Sequence, residues 1–275
     1  MKRRLLLASC CLLAACEPLP VQWGDVAPLP ATAPPETAVL EWSGDVPSLA
    51  PMLTPPAFPD TAGACIGSLR FTRGLGPASA VVNPPEAVAQ WFAVWWQPRE
   101  RGAVTLMSSR SADGGRTWTT PQVVDGRDAG SLGCGRAAPS VATDDDAEYA
   151  HYAYFMAPTD GAGVFFTHWM RSDGLFHAPV AAVYGDRPVA VSVAAEGDVV
   201  AVVFEDPNAE GGIGLAVSRT AGHLFEHREQ VLRAHSRAVA PLAAVRGKRL
   251  AIAWGVHDTA GTQWRYRLAT LLDPK

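Results

Sequence analysis

One eight-residue segment constrains the fold of this chain more than any other. Residues 111–118 read S-A-D-G-G-R-T-W, and residues 218–225, S-R-T-A-G-H-L-F, are a degraded copy of the same pattern. In such a segment the Asp113 carboxylate can accept backbone N–H bonds inside a tight turn, Gly115 can adopt a positive φ, and Trp118 can pack beneath the hairpin. A turn of this kind that recurs along a chain predicts a repeated β-sheet architecture.

The strands around these turns repeat as well. From about residue 65, short apolar or alternating runs are separated by Gly, Pro and Asp, which indicates strands joined by tight turns. Each repeat begins with an arginine followed by a strand of small or apolar residues. These arginines, spaced 50 to 63 residues apart, are Arg73, Arg136, Arg187 and Arg237. Four strands in about 50 residues is the size of one propeller blade. We therefore predict an all-β propeller with four visible four-stranded blades, and a fifth blade stays open.

The last repeat stops after its third strand, at the end of the chain. A fourth strand supplied by the segment around residues 66–72 would remove the exposed sheet edges. We place the propeller at residues 61–275. Residues 16–60 hold eleven of the 23 prolines, and this composition predicts an extended tether, in which short apolar segments such as residues 39–42 could still dock on the domain.

The N-terminus has the pattern of an export signal. A basic start and a short apolar run end in L-A-A-C at residues 13–16, which resembles a bacterial lipobox. The run is too short to span a bilayer. We predict a signal peptide over residues 1–15 and a lipid on Cys16 as the only membrane anchor, with an ordinary signal peptide as the alternative. Glu17 favours outer-membrane sorting, on the periplasmic or surface face, if the cell is Gram-negative.

Cysteine usage and charge limit the remaining possibilities. Once Cys10 and Cys11 leave with the signal and Cys16 carries the lipid, Cys65 and Cys134 remain in an oxidising compartment, which predicts a disulfide between them. The net charge of −4 gives no broad electrostatic reason to expect a nucleic-acid partner. We expect a monomer that needs no cofactor.

One sequence match to a metal site is discounted. Residues 223–227 read H-L-F-E-H, a zinc-peptidase pattern that requires a helix to bring both histidines to one face. Here the residues overlap the second turn motif, so they fall on a hairpin. We therefore predict no metal.

The turn motif and the strand pattern over about residues 65–275 resemble the sialidase (neuraminidase) superfamily, whose propellers carry such turns as Asp-boxes, or BNR repeats. The resemblance implies a sialidase-like fold. It also implies that the Asp-box residues are structural, and these are Ser111, Asp113, Gly115 and Trp118. Family enzymes usually have six blades and hold the sugar carboxylate with an arginine cluster. This chain is short for such an enzyme.

The arginines that open the repeats are the candidate ligand-binding residues. In a propeller the first strand of each blade lines the central channel, so Arg73, Arg136 and Arg187, together with Arg237, are predicted to meet at its mouth. Guanidinium groups bind carboxylate, sulfate or phosphate with two parallel hydrogen bonds. The sequence thus predicts a non-catalytic module that binds an anionic glycan or a protein partner. The other interpretation is that each arginine pairs with a local acid or carbonyl.

A glycosidase also needs two carboxyl groups across the bond that it cleaves. The loops that should open on the binding face offer Glu100, Asp160, Glu205, Asp206, Glu210 and Asp258, together with His257. No pair among them is identified as catalytic, and the tyrosine nucleophile of the family has no clear counterpart. An exo-α-sialidase or a related glycoside hydrolase therefore stays the alternative function, with its catalytic residues unknown.

Overall fold

The computed structural model of the protein describes residues 21–30, 37–75, 88–144, 146–259 and 261–273. These residues form β-strands and two short 3-10 turns, and no helix among them is long and apolar enough to cross a membrane. The predicted signal peptide and the predicted lipidation site, Cys16, lie outside the described residues.

Four antiparallel sheets follow one another along the chain, and we call them the first to the fourth sheet in that order. The first contains β4 (Arg70–Leu75), β5 (Ala89–Pro98), β6 (Val104–Ser111) and β7 (Gln122–Asp125). The second contains β8 (Ser140–Thr143), β9 (Tyr149–Met156) and β10 (Gly163–Met170), with both β11 (Leu175–Phe176) and β12 (Val180–Tyr184) paired to β10. The third contains β13 (Val191–Glu196), β14 (Val199–Glu205), β15 (Ile213–Ser218) and β16 (His227–Leu232).

The fourth sheet takes its outer strand from the other end of the chain. It contains β17 (Ala238–Arg246), β18 (Arg249–Asp258), β19 (Gly261–Leu271) and β1 (Val21–Pro28). A separate two-stranded sheet is formed by β2 (Ala38–Ser43) and β3 (Val46–Pro51). This hairpin packs on the fourth sheet, where Leu40 joins a core cluster with Ala251 and Trp264.

The first strands of the five sheets share one cavity of about 610 Å³. Neighbouring first strands are linked by hydrogen bonds from backbone N–H groups to serine hydroxyls. Val193 donates to Ser140 Oγ (3.0 Å), and Ala243 donates to Ser192 Oγ (3.2 Å). The sheets are thus arranged as blades around a common centre, and the predicted all-β propeller fold is confirmed.

The second strand of each large sheet is buried on both faces, which explains its continuous apolar sequence. In β5, residues 92–96 are F-A-V-W-W, and none of them is more than 1% exposed. One face of β5 joins a cluster with Tyr152 and Phe165 of the second sheet, and the other face packs with Phe71 and Trp118. Strands buried between neighbouring sheets have no need of a polar face.

The closing strand differs from the expected one. The fourth sheet is completed by β1 and not by residues 66–72, of which the last three belong to β4. Val21 is only 2% exposed, and the indole N–H of Trp23 donates to Glu229 (2.7 Å). Burial and pairing of these residues satisfy the outer edge of β19. Residues 21–28 and 38–51 are therefore folded, where the sequence predicted an extended tether.

The predicted disulfide is present between Cys65 and Cys134, whose Cα atoms are 5.2 Å apart. Cys65 precedes β4, and Cys134 lies in a 3-10 turn ahead of β8. The bond therefore joins the approaches to the first strands of the first and second sheets.

The turn at residues 111–118 contains the bonds that its sequence predicts. The Asp113 carboxylate accepts backbone N–H bonds from Arg116 (3.0 Å) and Thr117 (2.9 Å), while Gly115 adopts φ +84°. Hydrogen bonds from the Thr117 hydroxyl and backbone hold the pKa of Asp113 well below its ordinary value. The Trp118 indole N–H donates to the carbonyl of Ala57 (2.9 Å), which fastens the chain before β4 to the hairpin.

The degraded copy keeps the turn with a different acceptor. Ser218 Oγ accepts the N–H of Gly222 (3.0 Å), and the hydroxyl of Thr220 accepts the N–H of Leu224 (3.0 Å) in place of an aspartate. Phe225, the aromatic at the end of the copy, packs edge-on against Phe166 of the second sheet at 4.9 Å. The turn thus survives the loss of the carboxylate because the serine and the glycine remain and Thr220, at the aspartate position, supplies the acceptor.

Candidate functional site

The cavity between the first strands is the candidate functional site. We call the end at which these strands begin its upper end, and the end at which they finish its lower end. The strands run in one direction: Glu205 bonds to backbone at the starts of β13 and β17, and Glu196 at the end of β13 accepts the N–H of Gly247, just after β17. Most lining residues are Ala, Val, Leu, Ser and Pro. Among the described residues, the charged members of the lining are Glu41, Arg70 and Arg73.

Arg73 lines the cavity, although not at the start of a strand. It stands inside β4 opposite Trp91, and its guanidinium lies 5.9 Å from the centre of that ring. The next residue, Gly74, packs so closely on the end of β8 that a Cβ there would lie 2.6 Å from the carbonyl oxygen of Asp144. Arg73 is therefore exposed in the lower half of the channel.

Arg136 is buried and paired away from the cavity. Its Nη2 donates to Asp128 Oδ2 (2.9 Å), and the two side chains are 1% and 0% exposed. The guanidinium also donates to the carbonyl of Gly133 (3.1 Å) and lies 5.3 Å from the centre of the Trp96 ring. All three guanidinium nitrogens of Arg136 donate to protein atoms, so this side chain has a structural role.

Arg187 and Arg237 precede their strands but are not among the lining residues. Arg187 donates to the carbonyl oxygens of Asp206 and Ala209, both in the loop that follows β14. Arg237 is exposed at φ +54°, and its backbone packs on Gly211.

The structure therefore does not bring the four predicted arginines together. Arg136 and Arg187 have internal partners, as the second interpretation of the sequence expected for them, and Arg73 lies lower in the channel. The cation at the upper end of β4 is Arg70, which donates to the carbonyls of Gly67 (2.7 Å) and Leu69 (2.9 Å). Sequence reasoning missed its position because the run that starts at Arg73 imitates the openings of the later repeats.

One candidate acid touches the upper end of the cavity. Glu205, at the end of β14, accepts backbone N–H bonds from Ala240 (2.9 Å) and Ala190 (3.5 Å), and both alanines line the cavity. The half-buried carboxylate thus bridges the starts of β13 and β17. A carboxylate in this position carries negative charge beside the mouth, on the wall away from Arg70.

The other candidate acids lie elsewhere. Asp206 accepts the side chain N–H of Gln230 (3.3 Å) and the backbone N–H of Asn208 (2.8 Å). Three further acids of the set are exposed, and these are Glu100 in a 3-10 turn and Asp160 and Glu210 in loops. The side chain of Asp258 is outside the described residues.

A buried acid, Asp144, lies at the lower end, immediately after β8. Burial raises its pKa above the ordinary value, against backbone hydrogen bonds that include one from Tyr149 (3.4 Å). Its carbonyl faces Gly74 of β4, so this acid belongs to the packing between the first two sheets.

Comparison with known proteins finds distant structural likeness only. No protein-family model matches the chain, and no curated protein matches it. The catalytic domain of a GH62 α-L-arabinofuranosidase from Coprinopsis cinerea is similar in structure at 12% identity and a TM-score of 0.43. The match covers 88% of this chain and 76% of the enzyme domain.

Two sialidases match over smaller shares of their own length. A sialidase of Trypanosoma rangeli matches 84% of this chain over 39% of its own, at 11% identity and a TM-score of 0.42. The NanB sialidase of Streptococcus pneumoniae matches 64% of this chain over 28% of its own, at 11% identity and a TM-score of 0.39. The chain thus spans well under half of either sialidase, and likenesses this distant say nothing about activity.

Proposed function

We propose that this protein is a non-catalytic propeller that binds an anionic glycan in its central cavity. The observation that carries the proposal is that one first strand, β4, places two arginines, Arg70 and Arg73, on the lining of that cavity. The cavity volume of about 610 Å³ lies in the range of small-ligand sites, which are mostly apolar with a few polar groups. A sugar carboxylate or sulfate would be held by a guanidinium, with its ring against the small apolar residues.

Arg73 is the better placed of the two arginines for this role. Its guanidinium is exposed and lies near the face of Trp91, so the Trp91 ring limits the conformations of the Arg73 side chain. Arg70 is half-buried, and its bonds to the carbonyls of Gly67 and Leu69 fix it at the upper end. A ligand that spans the channel would meet one cation toward each end.

The proposal is tested by calorimetric titration of the full-length protein with sialic acid, a uronic acid and a sulfated sugar. We expect saturable binding of one of them, weakened at least tenfold by Arg73→Ala, since charge-assisted hydrogen bonds are each worth about 1.5–3 kcal/mol. Arg233→Ala, an exposed arginine between the third and fourth sheets, is the matched control and should bind as the parent does. Arg136→Ala is unsuitable because that side chain is buried. Absence of heat with all three sugars would favour a protein partner instead.

The alternative function, an exo-α-sialidase or related glycoside hydrolase, is favoured by one observation, the carboxylate of Glu205 beside the mouth. A glycosidase needs a second carboxyl about 5–10 Å away. Within the described part of the lining, the one carboxylate is that of Glu41, on β2. Release of a chromophore from an aryl sialoside by the parent, and its loss in Glu205→Gln, would establish the enzyme and reject the binding proposal.

We also propose that the protein is an exported lipoprotein of the cell envelope. Cys16 would then carry the lipid only five residues before Val21, the first residue of β1. Five extended residues span at most about 18 Å. The fourth sheet would therefore lie close to the membrane surface, in contrast to a domain raised on a tether of more than 40 residues. No membrane contact other than this lipid is needed.

A further inference from the structure

Three histidines from two sheets meet at the outer turns, away from the central cavity. His168 lies in β10, His177 directly follows β11, and His223 lies in the degraded turn motif ahead of β16. The centre of the His168 ring lies 4.4 Å from the centre of the His177 ring and 4.7 Å from that of the His223 ring. One ring nitrogen from each of the three can be chosen so that all lie within 4.8 Å of one another.

The geometry of the cluster resembles a metal site with its ligands nearly in place. A four-coordinate metal with bonds of 2.0–2.1 Å to nitrogen holds its ligand atoms about 3.3 Å apart. His168 Nε2 and His177 Nδ1 are already 3.0 Å apart. His223 is exposed on a turn, so small rotations of its side chain are enough to bring the third nitrogen closer.

His168 has a ring nitrogen that no group in the structure satisfies. Its Nε2 faces His177, while its Nδ1 is buried without a hydrogen-bond partner. That Nδ1 faces the Gly222–His223 turn, because a Cβ on Gly222 would lie 3.3 Å from it. Buried polar atoms without a partner are uncommon. One imidazole binds a given ion through one nitrogen, and Nε2, which lies 3.0 Å from His177 Nδ1, is the nitrogen of His168 placed to share an ion with His177.

The surroundings of the three rings suit coordination of an ion through His177 Nδ1. Asp173 Oδ2 lies 3.3 Å from His177 Nε2, and this carboxylate contact favours the tautomer that carries its hydrogen on Nε2 and directs the Nδ1 lone pair toward the cluster. A cavity of about 200 Å³ adjoins the three rings and leaves space for a water molecule as fourth ligand.

We propose that His168, His177 and His223 bind one borderline divalent transition-metal ion, of which Zn²⁺ is the representative, with Asp173 orienting His177. Imidazole nitrogens are ligands that Zn²⁺, Cu²⁺ and Ni²⁺ prefer over the hard cations Ca²⁺ and Mg²⁺. The ion links the turn after β10 to the hairpin between β15 and β16, so it fastens the second sheet to the third. The site differs from the helical zinc-peptidase pattern, because His227 points elsewhere, to Glu229 at 3.4 Å.

The test is calorimetric titration of chelator-treated full-length protein with Zn²⁺ alone. We expect one ion per chain with a dissociation constant in the micromolar range or tighter. His177→Ala and His223→Ala should each weaken binding at least tenfold, and Asp173→Asn should weaken it about 10- to 100-fold through the orientation of His177. His257→Ala replaces an exposed histidine on β18, outside the cluster, and should bind as the parent does.

A second readout separates a built site from adventitious surface binding. Co²⁺ in place of Zn²⁺ should give the intense visible absorption of a four-coordinate ion, and this band should vanish in His223→Ala. Because His223 is exposed, its replacement leaves the fold intact, which the far-UV spectrum would verify. Failure of the parent to bind Zn²⁺, or equal binding by the parent and both histidine variants, would overturn the proposal.

Discussion

A single carboxylate, that of Asp128, organises the junction between the first and second sheets. Its two oxygens accept backbone N–H bonds from Val104 (2.9 Å) and Ala157 (3.0 Å), and Arg136 supplies the compensating charge. The backbone carbonyl of the same residue accepts a bond from Arg99. The arginine that precedes β8 therefore completes a buried polar network, and this role explains its sequence position without any ligand.

Replacement of Arg136 should destabilise the protein strongly. In Arg136→Ala the Asp128 carboxylate stays buried without a counter-charge, so we expect the free energy of unfolding to fall by about 3–5 kcal/mol. Urea denaturation followed by tryptophan fluorescence measures the change. Lys248→Ala breaks an exposed ion pair with Asp273 and serves as the control, with no measurable effect expected.

A double variant separates charge from packing at this junction. Arg136→Met together with Asp128→Asn removes both charges and keeps a side-chain oxygen that can accept a backbone N–H bond, so it should recover part of the stability that Arg136→Met alone loses. If Arg136→Ala proved as harmless as Lys248→Ala, the buried pair would have no structural role and Arg136 would again be a candidate for ligand binding.

At the scale of elements, the disulfide fixes the segment from which β4 starts. The backbone N–H of Cys65 donates to the carbonyl of Trp96 (2.9 Å), and Ser68 Oγ both donates to Cys65 and accepts the N–H of Trp96. Residues 65–68 are thus hydrogen-bonded to β5 just ahead of Arg70, the first residue of β4. The Cys65–Cys134 bond extends this support to the turn ahead of β8.

Removal of the disulfide should destabilise the protein without a change of fold. The bond spans 69 residues, and closure of a loop of that size stabilises by about 4 kcal/mol, mainly by restricting the unfolded chain. We expect Cys65→Ala/Cys134→Ala to lose that amount in urea denaturation. The parent assayed in a strong reductant is the matched comparison and should lose a similar amount. Equal stability of the parent with and without reductant would contradict the prediction.

At the scale of the whole molecule, the periodic part of the fold could be predicted from the sequence, and the pairings between distant segments could not. The turn at residues 111–118 and the apolar second strands are local patterns, and both lie where the sequence placed them. The sequence predicted that the first repeat begins at Arg73, whereas β4 begins three residues earlier, at Arg70. Both arginines precede small or aromatic residues, so the sequence pattern does not distinguish them. The pairing of β1 with β19 could not be predicted, because nothing in the sequence of residues 21–28 indicates which strand they pair with.

The same limit applies to the candidate site. Single arginines ahead of the strands were visible in the sequence, whereas the partners that bind Arg136 and Arg187 are loop atoms supplied by other segments. Likewise, His223 was visible only as half of a peptidase pattern, because His168 and His177 come from the neighbouring sheet. Side chains that meet across two sheets leave no periodic signal in either segment.

The closing strand carries the last prediction, which concerns the molecule as a whole. β1 and β19 lie at opposite ends of the chain, and the bond from Arg267 Nε to the carbonyl of Gly24 (2.8 Å) joins residues 243 positions apart. A protein that starts at residue 31 loses β1, leaves the eleven-residue β19 as an open edge, and exposes core contacts that Val21 and Leu29 cover. Full burial of two such side chains contributes about 3–6 kcal/mol, so the shortened protein should be far less stable in urea and should associate through the open edge.

The matched control for this deletion is a protein that starts at residue 17 and keeps every described strand. A synthetic peptide of residues 17–30, added to the shortened protein, should restore much of the lost stability by pairing with β19, whereas a scrambled peptide should not. Chemical denaturation and size-exclusion chromatography measure the two effects. If the protein from residue 31 unfolded at the same urea concentration as the control and stayed monomeric, residues 21–30 would be dispensable, and the propeller would be complete without its N-terminal strand.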